Sequence, residues 1–301
     1  MAVKNRAAST LARLKTQAKT EGINYQMCLQ LFFQEEFLRR LSHSKYRENL
    51  VLKGGMFIYT LTAFDSRPTR DMDFLMRSLS NDLNNIIAVM GEICAAHTEN
   101  DYILLEVTGA EQITREKKYP SVKTKFMGHI NNVRVPFSVD VGIDDIIVPD
   151  AMVRRLSTRL DGFEAPEIYT YSLESTISEK FDAILQRMET TSRMKDFFDI
   201  YYLSSVFDFS GKTLKDAIMF TSEHRERVLE QDAFERIREF ADNPFLKAQW
   251  LRFEPAKETG LEFSETLQRL EQFLEPVYQA VLRDEDFERR WFSSQKSWIY
   301  D

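Results

Sequence analysis

Residues 51–77 read VLKGGMFIYTLTAFDSRPTRDMDFLMR. Gly54 and Gly55 form the only Gly-Gly pair in the chain, and the apolar residues 56–61 that follow predict the buried start of a helix. The first N–H groups of a helix have no partner within it, and the helix dipole favours negative charge at that end. A flexible glycine backbone at this point therefore predicts a binding site for phosphate oxygens.

The same stretch ends in two acids separated by one residue. The alternation over residues 71–76 predicts a strand, and side chains two positions apart on a strand point to the same face. Asp71 and Asp73 are therefore expected to lie side by side, with Met72 packed behind them. Two like charges held together are costly unless a cation lies between them, and carboxylate oxygens suit Mg²⁺. The pair predicts a magnesium site.

A third acid lies on a later predicted strand. Residues 133–141 (VRVPFSVDV) alternate between apolar and polar positions, and Asp140 falls on the polar face. If this strand neighbours the one bearing Asp71 and Asp73, the three carboxylates can hold one or two Mg²⁺ and support attack of a hydroxyl on the α-phosphate of a nucleotide. The alternative for each acid alone is a solvent-facing strand residue.

Composition limits the possible partners and location. The 301 residues include 40 Lys and Arg against 47 Asp and Glu, a net charge of -7. This negative net charge argues against a protein that binds nucleic acid over its whole surface. A nucleic acid would have to bind at local basic patches. Cys28 and Cys94 lack metal-ligand spacing, and no apolar run is long enough to cross a membrane. We expect a cytoplasmic protein without disulfides or membrane contact.

Changes of pattern along the chain predict two domains, residues 1–165 and 166–301. Residues 1–20 carry five basic residues and no acid, which predicts either a helix that touches RNA or a protein partner, or a solvated helix on the domain edge. Strands are expected around residues 102–108, 122–127 and 133–141. Beyond residue 165 the pattern is helical to the end of the chain, except that residues 167–171 also fit a strand. The later segments are amphipathic helices, notably residues 263–282, with breaks at Pro244, Pro255 and Pro276.

Four ordered motifs, spanning about residues 50 to 203, resemble the AbiEii/AbiGii toxin family of nucleotidyltransferases, which includes the MenT toxins. They are LKGGMFIYTL…RPTRDMDF, VDVGIDD, ISEKFDAILQR and RMKDFFDIYYL. The resemblance implies an α+β fold. Its first part would be a polymerase-β-like nucleotidyltransferase domain, with a small mixed sheet flanked by helices, and a helical domain would follow and close over the nucleotide.

The resemblance also implies residue roles. Gly54 and Gly55 match the motif that contacts the triphosphate, Lys180 matches a helix lysine near the phosphates, and residues 193–199 match an R-x-K-D-x-x-D motif. Lys53, directly before the glycines, can reach a phosphate or lie at the surface. The predicted metal ligands are Asp71, Asp73 and Asp140. The predicted catalytic residues are these three with Lys180 and Asp196, and the predicted nucleotide-binding residues are Lys53, Gly54, Gly55, Lys180, Arg193, Lys195 and Asp199.

Two positions depart from the family pattern. Many nucleotidyltransferases have Gly-Ser where this chain has Gly54-Gly55, so Gly55 has no hydroxyl to offer a phosphate. The third acid is also open, because Asp144 or Asp145 can take the place assigned to Asp140.

The resemblance implies a toxin that transfers NMP from an NTP to an RNA hydroxyl with the help of Mg²⁺. The 3′ end of tRNA is a candidate acceptor, and the modification would inhibit growth and translation. The basic segment 115–134 would then attract the RNA, and a cognate antitoxin is an expected partner. Two alternatives remain. In the first, the nucleotide is transferred to a hydroxyl of a small molecule or a protein. In the second, the chain is a catalytically silent module that an antitoxin binds.

Overall fold

The structure, a computed structural model, describes residues 5–113, 121–143 and 145–300. The chain divides into two units. Unit 1 comprises Met1–Asp144 and Met152–Tyr171, and unit 2 comprises Asp145–Ala151 and Ser172–Asp301. The chain therefore enters unit 2 briefly, returns to unit 1 for two strands, and then stays in unit 2. Within the described ranges no helix is long and apolar enough to span a bilayer.

Unit 1 is built on seven strands that form one mixed sheet. The strands are β1 Leu50–Lys53, β2 Asp73–Met76, β3 Ile103–Ile113, β4 Ser121–Ile130, β5 Val133–Gly142, β6 Met152–Arg155 and β7 Glu167–Thr170. Their order across the sheet is β3-β4-β5-β2-β1-β7-β6. β2 runs parallel to β5 and β1 parallel to β7, while the other neighbours are antiparallel. The strands predicted between residues 102 and 141 are confirmed.

Four helices complete the described part of unit 1. They are α1 Arg6–Thr20, α2 Tyr25–His43, α3 Gly54–Leu61 and α4 Leu83–Ala95. α2 packs closely on the sheet, because a Cβ at Gly128 of β4 would lie 2.4 Å from the ring of Phe33. Beside it the ring of Phe37 lies 5.3 Å from that of Phe126 in an edge contact. These apolar contacts bury one face of β4 and β5, so the polar positions of the same strands point the other way.

Four charged side chains of α2 are buried in unit 1 and form ion pairs with one another. Arg39 binds Glu35 at 2.6 Å and Glu36 at 2.8 Å, and Arg40 binds Glu36 at 3.2 Å. Buried charges are tolerated when they are paired and hydrogen-bonded. Glu36 also accepts hydrogen bonds from the side chains of Thr98 and Asn100. This network holds α2 in place, and α2 in turn positions the segment that precedes β2.

Unit 2 contains seven helices among its described residues. They are α5 Leu173–Arg187, α6 Met194–Val206, α7 Gly211–His224, α8 Ala233–Glu239, α9 Pro244–Arg252, α10 Glu254–Thr259 and α11 Phe263–Arg283, with a short 3-10 turn at Met188–Thr190. The prediction of helix to the end of the chain is wrong. Three short strands, β8 Phe209–Ser210, β9 Arg289–Phe292 and β10 Ser297–Tyr300, form a second sheet in the order β10-β9-β8.

Aromatic packing explains both that sheet and the continuity of α11. Trp298 of β10 stacks on Phe273 of α11 at 5.7 Å, and Trp291 of β9 is fully buried. α11 runs through Pro276, where the sequence predicted a break. The Nε1–H of Trp298 donates to the carbonyl of Phe273 at 2.9 Å, in the turn where proline disturbs the helical hydrogen bonds. Tertiary contacts of the C-terminal strands thus stabilise a helix that sequence rules would end.

Candidate active site

A row of charged side chains crosses four neighbouring strands of unit 1. In the register of the sheet Lys53 of β1 is opposite Asp73 of β2, Asp73 is opposite Asp140 of β5, and Asp140 is opposite Lys123 of β4. Side chains at matched register positions point to the same face of a sheet. The two carboxylates therefore lie side by side at the centre of the row, with one ammonium group on each side.

The two lysines have identifiable contacts. Lys123 Nζ lies 3.6 Å from Asp140 Oδ1, and both side chains are partly exposed. Lys53 Nζ lies 3.4 Å from the hydroxyl of Tyr171 and 5.0 Å from the centre of its ring. The pairing of Lys123 with Asp140 was not predicted. It follows from the hairpin of β4 and β5, in which the two-residue turn at 131–132 places Ile130 opposite Val133 and so fixes the register.

Gly54 begins α3 directly beside Asp73. Its φ of +71° lies in the left-handed region, which glycine adopts at little cost. A Cβ at this position would lie 2.6 Å from Asp73 Oδ2. Glycine is therefore required at position 54 for two reasons, which are the backbone turn and the close approach to the carboxylate of Asp73. The predicted helix start is confirmed, and it places the N-terminus of α3 next to the acidic pair.

Gly55 lies against a threonine that the sequence analysis did not consider. A Cβ on Gly55 would lie 3.2 Å from both Cβ and Oγ1 of Thr69. Thr69 is buried, and its hydroxyl accepts a hydrogen bond from the N–H of Asp71 at 3.2 Å. The side chain of a serine at position 55 would therefore lie next to the hydroxyl of Thr69, in the loop before β2.

The position of Asp71 differs from the prediction. β2 begins at Asp73, so Asp71 lies outside the strand and is exposed. The reason is the turn at Thr69, whose hydroxyl takes the N–H of Asp71 out of the strand ladder. α2 holds this turn, because Gln30 and Gln34 both donate to the carbonyl of Arg70, at 3.3 and 2.8 Å. The argument from a shared strand face therefore applies to Asp73 and Asp140 and not to Asp71.

The alternatives for the third acid are placed differently. Asp144 lies outside the described residues. Asp145 belongs to unit 2, where its Oδ1 lies 3.1 Å from Nη2 of Arg225. Among the residues that the structure describes, no group of three or more His, Cys, Asp or Glu side chains is arranged around a common metal position. The pair of acids that the sheet brings together is Asp73 and Asp140.

The predicted site residues of unit 2 form a buried cluster between α5 and α6. Lys180 Nζ lies 2.6 Å from Asp199 Oδ2 and 3.4 Å from Asp196 Oδ1. Arg193 Nε lies 2.5 Å from the other oxygen of Asp196. Asp196 and Asp199 are 1% and 2% exposed, so the lysine and the arginine compensate two buried carboxylates. Lys195 lies in the first turn of α6 and is half-buried.

The basic segment 115–134 is only partly described. Arg115, Lys117 and Lys118 lie outside the described residues. Lys125 forms an ion pair with Glu111 at 2.9 Å, and Arg134 is exposed on β5. The role of this segment in RNA attraction stays a prediction.

The two cysteines are unsuited to nucleophilic chemistry. Both are buried. Burial raises the pKa of the Cys28 thiol to about 11 and that of the Cys94 thiol to about 12. Both side chains therefore remain neutral thiols near pH 7, and only a thiolate is a strong nucleophile or metal ligand.

The model of the nucleotidyl transferase AbiEii toxin family, from type IV toxin–antitoxin systems, matches residues 36–276 of the chain. The chain belongs to the AbiEii toxin family. The match contains every predicted site residue, and membership in the AbiEii family makes the protein a nucleotidyltransferase toxin. No curated protein matches the chain significantly in sequence.

Solved structures resemble this AbiEii family member in fold. MenT4, a nucleotidyltransferase toxin from Mycobacterium tuberculosis, is 17% identical with a TM-score of 0.55, over 92% of this chain and 99% of that one. JHP933 from Helicobacter pylori is 15% identical with a TM-score of 0.47, over 84% of this chain and 94% of that one. The likeness to MenT4 confirms the predicted fold class, a central mixed sheet flanked by helices.

Proposed function

We propose that this AbiEii toxin uses Mg²⁺ to transfer a nucleoside monophosphate from an NTP to a hydroxyl of RNA, with the 3′ end of tRNA as candidate acceptor. The observation that supports it most is the register pairing of Asp73 with Asp140 beside the N-terminus of α3. The proposal takes these two carboxylates, which lie next to a helix end that favours phosphate, as metal ligands. The cognate antitoxin expected for a type IV system is part of the proposal.

The residues present fit a magnesium ion. Asp73 and Asp140 supply hard carboxylate oxygens from adjacent strands, and the missing side chain of Gly54 leaves room beside Asp73 Oδ2 that a Cβ would fill. In the proposal Asp73 and Asp140 hold the metal, and Asp71 keeps its predicted role as a further ligand from the preceding turn. When bound, Mg²⁺ offsets the negative charge of the phosphate oxygens and makes the attacking hydroxyl more acidic.

The side chains and backbone of unit 1 carry the remaining steps. The first N–H groups of α3, at Gly54 and Gly55, bind triphosphate oxygens, and Lys53 adds a positive charge beside them. Asp140 accepts the proton of the acceptor hydroxyl. The hydroxyl oxygen forms its bond to the α-phosphorus while the bond from that phosphorus to the bridging oxygen of the β-phosphate breaks, and pyrophosphate leaves.

The cluster of unit 2 is assigned to the phosphates as well. Lys180, Arg193 and Lys195 are proposed to contact them, and Asp196 and Asp199 to hold those basic side chains. The distances of 2.6 Å from Lys180 to Asp199 and 2.5 Å from Arg193 to Asp196 support the second part. Basic groups fixed in this way lose little side-chain entropy when a phosphate binds.

Incubation of the protein with tRNA, Mg²⁺ and each radiolabelled NTP in turn tests the proposal. We expect label in the RNA that disappears on RNase treatment and is not formed with EDTA present, because the proposed metal ligands are then empty. Label that survives RNase and migrates with a protein or a small molecule would identify another acceptor. Absence of label from every NTP, with a related toxin active in parallel, would favour a catalytically silent module.

Replacing Lys123 by methionine is expected to tighten binding of Mn²⁺ about three- to tenfold, because the ammonium group beside Asp140 repels a divalent cation at the same carboxylate. Titration of free Mn²⁺ by electron paramagnetic resonance measures this without nucleotide or catalysis. Lys125→Met is the matched control, since Lys125 lies on the same strand and pairs with Glu111. Equal Mn²⁺ affinity of the two variants and the native protein would contradict the expectation.

A further inference from the structure

α1 is a basic helix in an acidic protein. Its 15 residues include Arg6, Arg13, Lys15 and Lys19 and no acid, whereas the whole chain has a net charge of -7. Such a helix concentrates positive charge on one part of unit 1. The rest of the surface must therefore be more acidic than the average of the chain, and a polyanion would be attracted to this helix before other sites.

Packing fixes which side of α1 faces solvent. Ala7, Thr10, Leu14 and Ala18 are buried, and the hydroxyl of Thr10 hydrogen-bonds that of Tyr102 at 2.9 Å. Arg13, Lys15 and Lys19 are all exposed. Lys15 and Lys19 are one turn apart and share a side of the helix, whereas Arg13 lies on another flank, beside residue 161. The helix is thus anchored by its buried face and presents its charges around the exposed part of its surface.

These charges are not neutralised by neighbouring acids. Within the described part of the chain, none of the four basic side chains of α1 forms an ion pair, although Arg13 donates to the carbonyl of Asp161 and Arg6 lies over the ring of Tyr102. Elsewhere on the surface, exposed lysines have acidic partners, as Lys212 has Glu288 and Lys257 has Glu254. Unpaired cations on a fixed helix favour binding of an external anion.

A groove runs beside this face. It lies between α1 and residues 159–161 and has a volume of about 590 Å³. Its lining is mostly polar, with Ser9, Thr16 and Gln17, the cations Arg13 and Arg159, and one acid, Asp161. Hydroxyl, amide and guanidinium groups are those that contact the phosphates and sugars of nucleic acids. A protein partner would instead favour an apolar centre with aromatic residues, and no large apolar side chain of α1 is strongly exposed.

The helix is also linked to the acidic pair within unit 1. α1 packs on the first turns of α2, where Cys28 Sγ donates to the carbonyl of Leu14. From the same part of α2, Gln30 and Gln34 hold the carbonyl of Arg70, whose exposed side chain directly precedes Asp71. α2 therefore links α1 to the turn with the exposed Arg70 that leads into β2.

We propose that the exposed face of α1, with Arg13, Lys15 and Lys19, binds the sugar-phosphate backbone of the acceptor RNA and guides the strand towards the Arg70 turn. This inference rests on the proposed function, because it takes the acceptor to be RNA. It adds the surface that holds the acceptor, and it accounts for RNA binding by a protein of negative net charge.

The test compares two double charge reversals, Lys15→Glu with Lys19→Glu on α1 and Lys212→Glu with Lys257→Glu on unit 2. Both change the net charge equally, and thermal melting checks that both fold. Fluorescence anisotropy of labelled tRNA at several salt concentrations measures binding, and binding of a non-hydrolysable NTP reports on the nucleotide site. We expect the α1 variant to bind tRNA at least about tenfold more weakly, with a slope against log salt reduced by about 2 because two phosphate contacts are lost, and to bind the nucleotide normally.

Equal tRNA affinity of the two variants would overturn the inference, as would absence of tRNA binding by the native protein. If the α1 variant still binds tRNA but is no longer neutralised by the antitoxin, the surface serves a protein and the inference is also wrong. The proposed function fails separately. If tRNA binds through α1 while the label goes to another acceptor, the docking surface stands and the assigned acceptor does not.

Discussion

Replacing Asp73 by asparagine is expected to reduce nucleotidyl transfer at least about 1000-fold, a loss of about 4 kcal/mol of transition-state stabilisation. Asp73 is opposite Asp140 in the sheet and lies under the N-terminus of α3, so it belongs to both the metal site and the phosphate site of the proposal. Asparagine keeps the size of the side chain and removes the charge. The rate of NMP incorporation, measured at saturating NTP and Mg²⁺, checks this.

Asp101→Asn is the matched control, because Asp101 is a strongly exposed aspartate of the same unit. This variant is expected to retain native activity. Expression of the three proteins provides a second measurement, in which native protein and the Asp101 variant arrest growth and the Asp73 variant does not. A fully active Asp73 variant, or one that is as toxic as the native protein without transferring nucleotide, would show that toxicity does not depend on this carboxylate.

Replacing Gly54 by alanine is expected to lower activity about 100-fold and the free energy of unfolding by about 1–3 kcal/mol. Two causes act together. The φ of +71° is strained for any residue with a Cβ, and that Cβ would lie 2.6 Å from Asp73 Oδ2. The carboxylate must then move away from the start of α3. Urea unfolding measures the loss of stability, and Mn²⁺ binding measures the effect of the displaced Asp73 carboxylate.

Gly162→Ala separates backbone strain from the close approach to Asp73. Gly162 has a φ of +81°, and a Cβ there would meet no atom within 4 Å. This variant is expected to lose a similar amount of stability from strain and to keep its activity and Mn²⁺ affinity. If both variants lose activity to the same extent, the close contact between Gly54 and Asp73 has no special role in the site.

Local sequence patterns predicted the structure correctly where interactions between residues close in sequence determine it. The alternation of residues 133–141 predicted a strand with Asp140 on its polar face, and β5 confirms it. The Gly-Gly pair and the apolar residues after it also predicted the start of α3, since glycine adopts the left-handed φ of the turn at little cost and the apolar residues are buried in the helix that follows. The prediction failed at Asp71, where the hydroxyl of Thr69 competes for a backbone N–H. It also failed at Pro276, where the helix continues because Trp298 packs on the same turn and donates to the carbonyl of Phe273.

For the stretch 51–77, the sequence by itself determined the helix start at Gly54, the strand that carries Asp73, and the charge chemistry of the acids, because each depends on neighbouring residues along the chain. Only the tertiary structure decided that Asp140 stands beside Asp73 and that Thr69 borders Gly55. The first is a contact between strands far apart in sequence, and the second is a contact between a loop and the start of a helix. They follow from sheet order and register, which burial of the apolar face selects over the whole unit and which no single segment encodes.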